Sequence, residues 1–398
     1  MHQALKNYIN LSTIQSLNMI IPLISYPLII NRIGLISFGE LALLQAIFGI
    51  SSVFNVFGTN YTAVRSISLN KNNNRILSNI IISTLLIRLT NLIISVSLIV
   101  LLNFVFSFTE NIDLVFFSMG FIAFEAFVPT WYYQGFEKIF RLSVFNLFIK
   151  TSFLLTIYLF LNESNIELVP KAMLVPTLFV SIYTVFIILR KHVSFKFLKI
   201  GFLKIFVIKS SQLFVASLFS TLYTLSNKII IGMTLSKEIL GMYEIADKIS
   251  IVLKTPVQMI SKALLPNLSQ DEMKSKNKFY TIGLVFVIVL VSVTYIFSPI
   301  LIELVGGSKI ELSIDVLRIL ILSTPFVLIS LFNLDLYLVM ENRFKEIIRI
   351  RFSTLLFYII TMSSYIIIFK EETKALHLAY IYLSTEIFTS ILSSIKKQ

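Results

Sequence analysis

Long apolar runs follow one another along almost the whole chain, separated by short clusters of charged, Asn, Gly and Pro residues. A helix needs about 20 mostly apolar residues to cross the hydrocarbon core of a bilayer. The runs are continuous and do not alternate apolar with polar residues, which is typical of spanning helices and not of barrel strands. The sequence therefore predicts an all-α integral membrane protein with twelve transmembrane helices, at about residues 12–31, 37–58, 78–104, 113–132, 139–161, 168–189, 211–232, 239–264, 280–305, 313–340, 349–369 and 375–394.

The composition agrees with this prediction and excludes several other classes of protein. Hydrophobic residues make up 56% of the chain and charged residues 14%, whereas soluble domains carry about 45–50% and about 25%. Because the chain has no Cys, it has no disulfide framework, no thiolate zinc site and no thiol nucleophile. The three His residues lie far apart, at His2, His192 and His377. We therefore expect no metal site, no cofactor, no catalytic residues and no enzyme activity.

The Lys and Arg residues are unevenly divided between the two sides of the predicted membrane. The loops on the side that includes both chain ends hold 22 of them, and the loops on the other side hold 6. Cytoplasmic loops carry the excess of these residues, so both termini are predicted to be cytoplasmic. Most of the net charge of +13 therefore comes from the cytoplasmic loops and reflects the orientation of the chain in the membrane. No nucleic-acid partner is expected, because the cations do not cluster on a polar domain.

A cationic stretch at residues 190–209 divides the predicted spans into six and six. Its lysines alternate with Phe, Leu and Ile, which suits a linker lying on an anionic leaflet. A plain basic cytoplasmic loop is an equally good interpretation. An even number of spans in each half gives the halves the same orientation. The predicted organisation is an N-terminal six-helix bundle at 1–195, a linker at 196–210 and a C-terminal six-helix bundle at 211–398.

Twelve charged side chains lie inside the predicted spans, and they include the candidate functional residues. A charge at the centre of a bilayer costs about 2.5–3.5 kcal/mol on insertion scales, so each one needs a partner or a watery cavity. Deep cations are suited to an anionic head group such as pyrophosphate, because Arg donates bidentate hydrogen bonds to phosphate. The cationic candidates are Arg88, Lys150, Lys248, Lys254 and Arg318. Deep acids could instead take a proton or a sodium ion, and the candidates are Asp335, Glu386, Asp247 and Glu125.

These charges have a purely structural interpretation as well, since salt bridges can hold helices together. Arg88 and Lys150 have no acid near them in sequence, which makes them the stronger cationic candidates. Lys248 lies four residues after Glu244 and could be partly neutralised by it. Arg318 lies near the end of its span and could reach the surface. Glu40 lies one turn inside its helix, where an acid is favoured electrostatically, so its structural interpretation is the stronger one.

Five blocks of sequence resemble the O-antigen flippases, the Wzx-type polysaccharide transporters. PTWYYQGFEKI, at 129–139, is similar to the family's P-x-W-x-x-Q-G-x-E-K segment. The other four blocks are RIGLISFGELALLQA at 32–46, NVFGTNYTAVRSIS at 55–68, STLYTLSNKIIIGMTLSKEILGMYEIADKI at 220–249 and PVQMISKALLPNLSQ at 256–270. No single block is specific for the family, but the five blocks together, in this order and within a twelve-span frame, are. After about residue 279 the resemblance is one of hydropathy only.

The resemblance implies two six-helix bundles that form a V around a central cavity opening alternately to each side. It implies an inner-membrane flippase that moves an oligosaccharide repeat unit on undecaprenyl pyrophosphate to the periplasmic leaflet, with coupling to an ion gradient. The polymerase and the chain-length regulator of the same pathway would be partners, beside the lipid-linked substrate and the bilayer. The residues at the family's motif positions are Arg32, Gly39, Arg65, Trp131, Gln134, Glu137, Lys138, Asn227, Tyr243 and Lys248. Several of these are expected to be architectural.

Three alternatives share parts of this pattern. The O-antigen flippases belong to the multidrug/oligosaccharidyl-lipid/polysaccharide exporter superfamily. A multidrug or metabolite antiporter of this superfamily has the same architecture, although such exporters usually have longer chains. The lipid II flippase is a further relative, but it typically has two additional spans. A membrane-embedded polysaccharide polymerase belongs to a different class and would be expected to carry a large periplasmic loop. The outer loops predicted here are short, and they hold more acids than bases.

Overall fold

Helices occupy nearly all of the chain, as the apolar runs predict. The computed structural model describes residues 2–194, 199–264, 273–308, 310–338, 341, 343–369 and 374–395, and these contain helices and no strand. The helices are α1 (His2–Val56), α2 (Thr59–Leu69), α3 (Asn74–Phe106), α4 (Ile112–Phe127), α5 (Thr130–Gly135), α6 (Ile139–Phe160), α7 (Leu168–His192), α8 (Ile200–Thr234), α9 (Lys237–Leu264), α10 (Met273–Gly306), α11 (Glu311–Leu322), α12 (Thr324–Leu331), α13 (Phe344–Phe369) and α14 (Ala375–Ile395), with a π-helical turn at Phe332–Leu338.

Ten segments of the described chain are long and apolar enough to cross a membrane. The first of them, Leu23–Leu69, extends over the end of the predicted span 12–31 and all of the span 37–58. The predicted span 239–264 falls in α9, which is absent from the ten and carries seven charged residues. The all-helical membrane fold is therefore confirmed, whereas the number of twelve spans stays a prediction.

Gly34 interrupts α1 and separates its two arms. Its φ of 78° and ψ of 168° are not helical, and an L side chain rarely adopts this positive φ. A Cβ added at Gly34 would meet nothing within 4 Å. The backbone angle, and not close packing, is therefore the reason for glycine here. The predicted boundary between the first two spans, at residues 32–36, lies on this interruption.

The helices form two compact units. We call the first unit the residues up to Ile21 together with Leu44–Thr221, and the second unit Pro22–Leu43 together with all residues from Leu222 onward. The boundaries fall inside α1 and α8 and not in the cationic stretch. The predicted six-helix bundles at 1–195 and 211–398 are therefore not the same residue ranges as these units, and they stay a prediction about folding domains.

The first unit is organised around Trp131, the single Trp of the chain, which is 1% exposed. The helix α5 that carries it ends at Gly135, where a Cβ would lie only 2.8 Å from the side chain of Ile67. Glu137 then takes a left-handed conformation, with φ 58°, and the amide of Lys138 donates to the carbonyl of Tyr133 at 2.7 Å. This is a Schellman turn with Glu in the place where Gly is usual. Much of the PTWYYQGFEKI block is therefore architectural.

Pairs of glycines explain why residues 22–43 pack with the second unit. A Cβ on Gly39 would overlap the carbonyl oxygen of Lys237, and a Cβ on Gly241 would lie 2.6 Å from the carbonyl oxygen of Leu35. The start of the second arm of α1 and the start of α9 therefore approach each other closely through backbone atoms. Glu40 forms an ion pair with Lys237 at 3.2 Å in the same contact, which agrees with the structural interpretation of this acid.

Candidate functional site

A cavity of about 350 Å³ lies within the first unit, among the end of α1 and helices α2, α3, α4, α5, α6 and α7. Two of the predicted cations, Arg88 and Lys150, line it together with the predicted acid Glu125 and the motif residue Gln134. The other polar residues in its lining are Ser52, Asn60, Thr130, Asn146 and Thr177. The structure therefore brings together four sequence-predicted residues that are up to 62 positions apart in the chain.

Arg88 is buried, and neutral oxygens hold its guanidinium in place. Its Nε donates to Thr59 Oγ1 at 3.1 Å, its Nη2 to Asn60 Oδ1 at 2.6 Å and its Nη1 to the carbonyl oxygen of Ala126. The guanidinium carbon lies 5.9 Å from the centre of the Trp131 ring. None of the ion pairs found in the described chain includes Arg88. Its guanidinium is therefore held in position at the wall of the cavity by neutral groups.

The two other charged residues of the cavity come from facing helices. Lys150 follows Asn146 by one turn on α6, so both side chains point into the cavity. Glu125 lies near the end of α4, close enough to Lys150 for electrostatic attraction. The carbonyl of the next residue, Ala126, accepts the bond from Arg88. Two cations and one acid leave this cavity with a net positive charge.

The second unit contains a separate cluster of charged side chains, centred on Lys228 of α8. Its Nζ lies 2.6 Å from a carboxylate oxygen of Glu244 and 2.5 Å from one of Asp247. Lys248 pairs with the other oxygen of Glu244 at 3.2 Å and lies over the ring of Tyr26, 5.8 Å from its centre. The expected pairing of Glu244 with Lys248 is present, but Lys228 shares both acids. Lys228 itself is buried.

A second group of polar side chains surrounds Glu386 of α14. We call this group and the cluster around Lys228 together the polar network. Tyr223 donates to the carboxylate of Glu386 at 3.4 Å, and Tyr382 lies near the same carboxylate. Arg351 donates to the hydroxyl of Tyr223 at 3.2 Å. Lys254 lies 4.9 Å from the centre of the Tyr382 ring and attracts Glu386 electrostatically. Both Lys254 and Glu386 are buried, so the structure brings a predicted cation close to a predicted acid.

Two motif residues of the second unit hold helices together. The amide of Asn227 donates to the carbonyl of Leu378 at 2.8 Å and accepts from the hydroxyl of Tyr358 at 2.7 Å. It also lies 3.5 Å from the hydroxyl of Tyr243. Because all three side chains are buried, this amide satisfies polar groups from α9, α13 and α14 at once.

The remaining candidates lie outside the cavity and the polar network. Arg318 is one-third exposed, bonds to Ser298 at 3.0 Å and lies 3.8 Å from Asp315. Among the motif residues, Arg65 is exposed and Arg32 half-buried, and Glu137 pairs with Lys71 at 2.5 Å. Lys138 lies 5.5 Å from the centre of the Phe136 ring, between two candidate spans. The side chain of Asp335 lies outside the described part of the structure.

Sequence reasoning missed several polar residues of these sites. Asn60 and Asn146 lack a charge and so gave no signal inside apolar runs, although Asn60 lies within the quoted block 55–68. Tyr382 and Arg351 come from the region where the family resemblance is one of hydropathy only. In the described residues, no group of three or more His, Asp or Glu is arranged to hold a metal ion.

Comparison with solved structures shows which known fold this chain has. A multidrug resistance MATE family transporter of the MOP superfamily, in an inward-facing conformation, aligns with a TM-score of 0.73 at 12% identity, over 98% of this chain and 96% of that one. The MATE multidrug transporter DinF-BH aligns with a TM-score of 0.68 at 13% identity, over 99% and 94%. A mutant of a MATE transporter from Vibrio cholerae aligns with a TM-score of 0.64 at 15% identity, over 100% and 96%. The chain therefore has the two-bundle helical fold of these transporters.

The family follows from the sequence itself. Residues 4–272 match the family described as polysaccharide biosynthesis protein, which is more than half of the chain. The protein belongs to this family, and its multi-pass fold is that of a membrane transporter. No curated protein matches the chain significantly. The predicted resemblance to polysaccharide exporters is confirmed at the level of the family and the fold.

Proposed function

We propose that the protein is a flippase that moves a polysaccharide repeat unit, linked to undecaprenyl pyrophosphate, from the cytoplasmic to the periplasmic leaflet of the inner membrane. The family and the transporter fold support transport in polysaccharide biosynthesis. The excess of Lys and Arg on one side supports cytoplasmic termini. O-antigen is the proposed polysaccharide, and the polymerase and chain-length regulator of the pathway are the proposed partners.

The observation that carries this proposal is the buried guanidinium of Arg88. It has donors left over after its three bonds to neutral oxygens, and Lys150 lines the same cavity. Arg and Lys in a site of low dielectric favour an anionic group, and phosphate oxygens match the fork geometry of Arg. A cavity made for cationic drugs would instead place acids in excess. The pyrophosphate of the substrate is therefore the group assigned to Arg88 and Lys150.

Coupling to an ion gradient belongs to the same proposal and is assigned to acids of the polar network. Glu386 is buried beside two tyrosines and Lys254, and Asp247 is held by Lys228. A buried acid next to a lysine can accept a proton when the lysine moves away, so proton binding and helix rearrangement would be linked. Asp335 and Glu125 remain the other two candidates for this role. Replacing Glu386 by Gln should uncouple transport from the proton gradient without removing substrate binding.

The test is complementation of a strain that lacks this gene. The wild-type gene should restore long-chain surface polysaccharide and clear the lipid-linked repeat units that accumulate in the deletion strain. Arg88→Gln and Lys150→Gln should fail to do so at equal membrane abundance. Arg318→Gln is the matched control, because it also removes one intramembrane cation but one paired with Asp315. Full complementation by both cavity variants would refute the assignment of the cavity.

A multidrug antiporter is the second candidate, because the aligned MATE structures include multidrug transporters. The same strains separate the two. An antiporter would lower the accumulation of a cationic dye such as ethidium and leave lipid-linked repeat units unchanged. Surface polysaccharide that persists in the deletion strain, together with altered dye accumulation, would replace the flippase proposal with this one. The third candidate, a polymerase, would instead leave single repeat units on the cell surface when deleted.

A further inference from the structure

The cavity of the first unit contains polar groups without a partner, and we propose that they form a subsite for a neutral sugar beside Arg88. The inference rests on the proposed function, since it places the head group of a glycolipid in this cavity. It goes beyond the proposed function by assigning a role to the uncharged side chains. They would bind the hydroxyls of the sugar next to the pyrophosphate. Four residues form the subsite, and we call them the amide cluster: Asn60, Gln134, Asn146 and Thr177.

Each member of the amide cluster has hydrogen-bonding capacity left over. Asn60 uses its oxygen to accept from Arg88 at 2.6 Å, which leaves its NH₂ group. Asn146 uses one N–H to donate to the carbonyl of Leu142 at 3.0 Å, which leaves its oxygen. The side chain of Gln134 makes no hydrogen bond to any described residue. Thr177 is 1% exposed, and its hydroxyl has no partner within the described part of the chain.

This set of groups matches a sugar better than a second phosphate. A side-chain amide presents a donor and an acceptor next to each other, and every sugar hydroxyl can both donate and accept. An ionised phosphate only accepts, so it would leave the oxygen of Asn146 facing its own oxygens. A buried polar group without a partner is unfavourable, and a ligand that satisfies it gains affinity. The hydroxyl of Thr177 therefore favours a hydroxylated ligand over an apolar one.

The arrangement of the cluster fixes the order of the two parts of the ligand. The members come from four different helices, namely α2, α5, α6 and α7, so they surround one cavity and do not form a stripe on one helix. Asn60 bonds directly to Arg88 and so joins the sugar subsite to the cation. Phe121 and Ile149 line the same cavity and offer an apolar surface to the C–H groups of the ring. The pyrophosphate at Arg88 and the first sugar at the amide cluster would therefore be adjacent, as they are in the lipid-linked substrate.

Trp131 provides the measurement, because it is the single Trp and lies against Arg88. The full-length protein in lipid nanodiscs is titrated with farnesyl pyrophosphate and with farnesyl pyrophosphate carrying one glucose, galactose or N-acetylglucosamine, and the Trp fluorescence is followed. At least one glycosylated probe should bind about tenfold more tightly than farnesyl pyrophosphate, as expected for two hydrogen bonds. Gln134→Met and Asn146→Leu should abolish this preference and leave the affinity for farnesyl pyrophosphate unchanged.

Asn70→Leu is the matched control. The amide of Asn70 donates to the carbonyl four residues earlier, as that of Asn146 does, but Asn70 does not line the cavity. It should keep the preference for the glycosylated probe. Equal affinity for all four probes in the wild-type protein would overturn the sugar subsite and leave the pyrophosphate assignment intact. If no probe changes the fluorescence of the wild type, both the subsite and the proposed function of the cavity are refuted.

Discussion

Replacing Lys228 by Met tests how strongly the charged cluster of the second unit holds its helices. Lys228 is 7% exposed and lies between Glu244, which is 2% exposed, and Asp247, which is 17% exposed. Its two ion pairs are 2.6 and 2.5 Å long. Removing the lysine leaves two carboxylates in an apolar surrounding, with Lys248 paired only to Glu244 at 3.2 Å. The variant therefore loses the one ion pair that the described residues provide for Asp247.

The expected size of the effect follows from this burial. Removing one partner of a buried ion pair destabilises a protein by about 3–5 kcal/mol, because the other charge stays buried without compensation. This corresponds to roughly a two-hundred- to five-thousand-fold fall in the ratio of folded to unfolded protein. The double variant Lys228→Met with Asp247→Asn should recover part of the loss, by about 0.5–3 kcal/mol, since it removes the orphaned carboxylate. The pair of Glu244 and Lys248 remains in that variant.

The assay is denaturation of the purified protein in detergent micelles, followed by the fraction that elutes as folded monomer. Lys237→Met is the matched control, because Lys237 also pairs with an acid, Glu40, but is 34% exposed. A pair of that kind contributes about 0–1 kcal/mol. If Lys228→Met loses no more stability than Lys237→Met, or if adding Asp247→Asn recovers nothing, the cluster is not a stabilising element and the reasoning fails.

Three further predictions concern the turns of the structure. Gly39→Ala should destabilise the protein far more than Gly34→Ala in the same denaturation assay. The reason is that a Cβ at Gly39 would overlap the carbonyl of Lys237, whereas a Cβ at Gly34 would meet no atom within 4 Å. Equal losses of stability in the two variants would contradict this prediction. Glu137→Gly should change stability by less than about 1 kcal/mol and Glu137→Val should lower it more, because φ is 58° there and the lost ion pair with Lys71 is exposed. Burial, together with the nearby charges of Lys191 and Arg141, lowers the pKa of Lys138, so a larger share of this amine is neutral at pH 9. Lys138 should therefore be acylated faster than Lys71 at that pH, as measured by mass spectrometry of peptides, and slower labelling would contradict the prediction.

Each charge of the cavity and of the polar network could be found from the sequence, but its partners could not. Arg88, Lys150 and Glu125 stand out because a charge inside an apolar run is unfavourable unless something compensates for it. That these three line one cavity depends on the packing of α3, α4 and α6, which local sequence does not encode. Lys254 and Glu386 are 132 positions apart, and only the packing of α9 with α14 brings them close together. Asn60, Asn146 and Thr177 carry no charge, so their unsatisfied hydrogen bonds become visible only in the folded structure.

The sequence by itself determined that this protein is helical and lies in a membrane, because about 20 apolar residues in succession have no other stable arrangement. It also determined the family, since residues 4–272 match the family described as polysaccharide biosynthesis protein. The tertiary structure alone decided which charges are neutralised. Lys228 is buried between two acids, while Arg88 is bonded only to neutral oxygens. The physical reason is that electrostatic energy in a low dielectric depends on distances of a few ångströms between helices, and sequence spacing fixes such distances only within one helix.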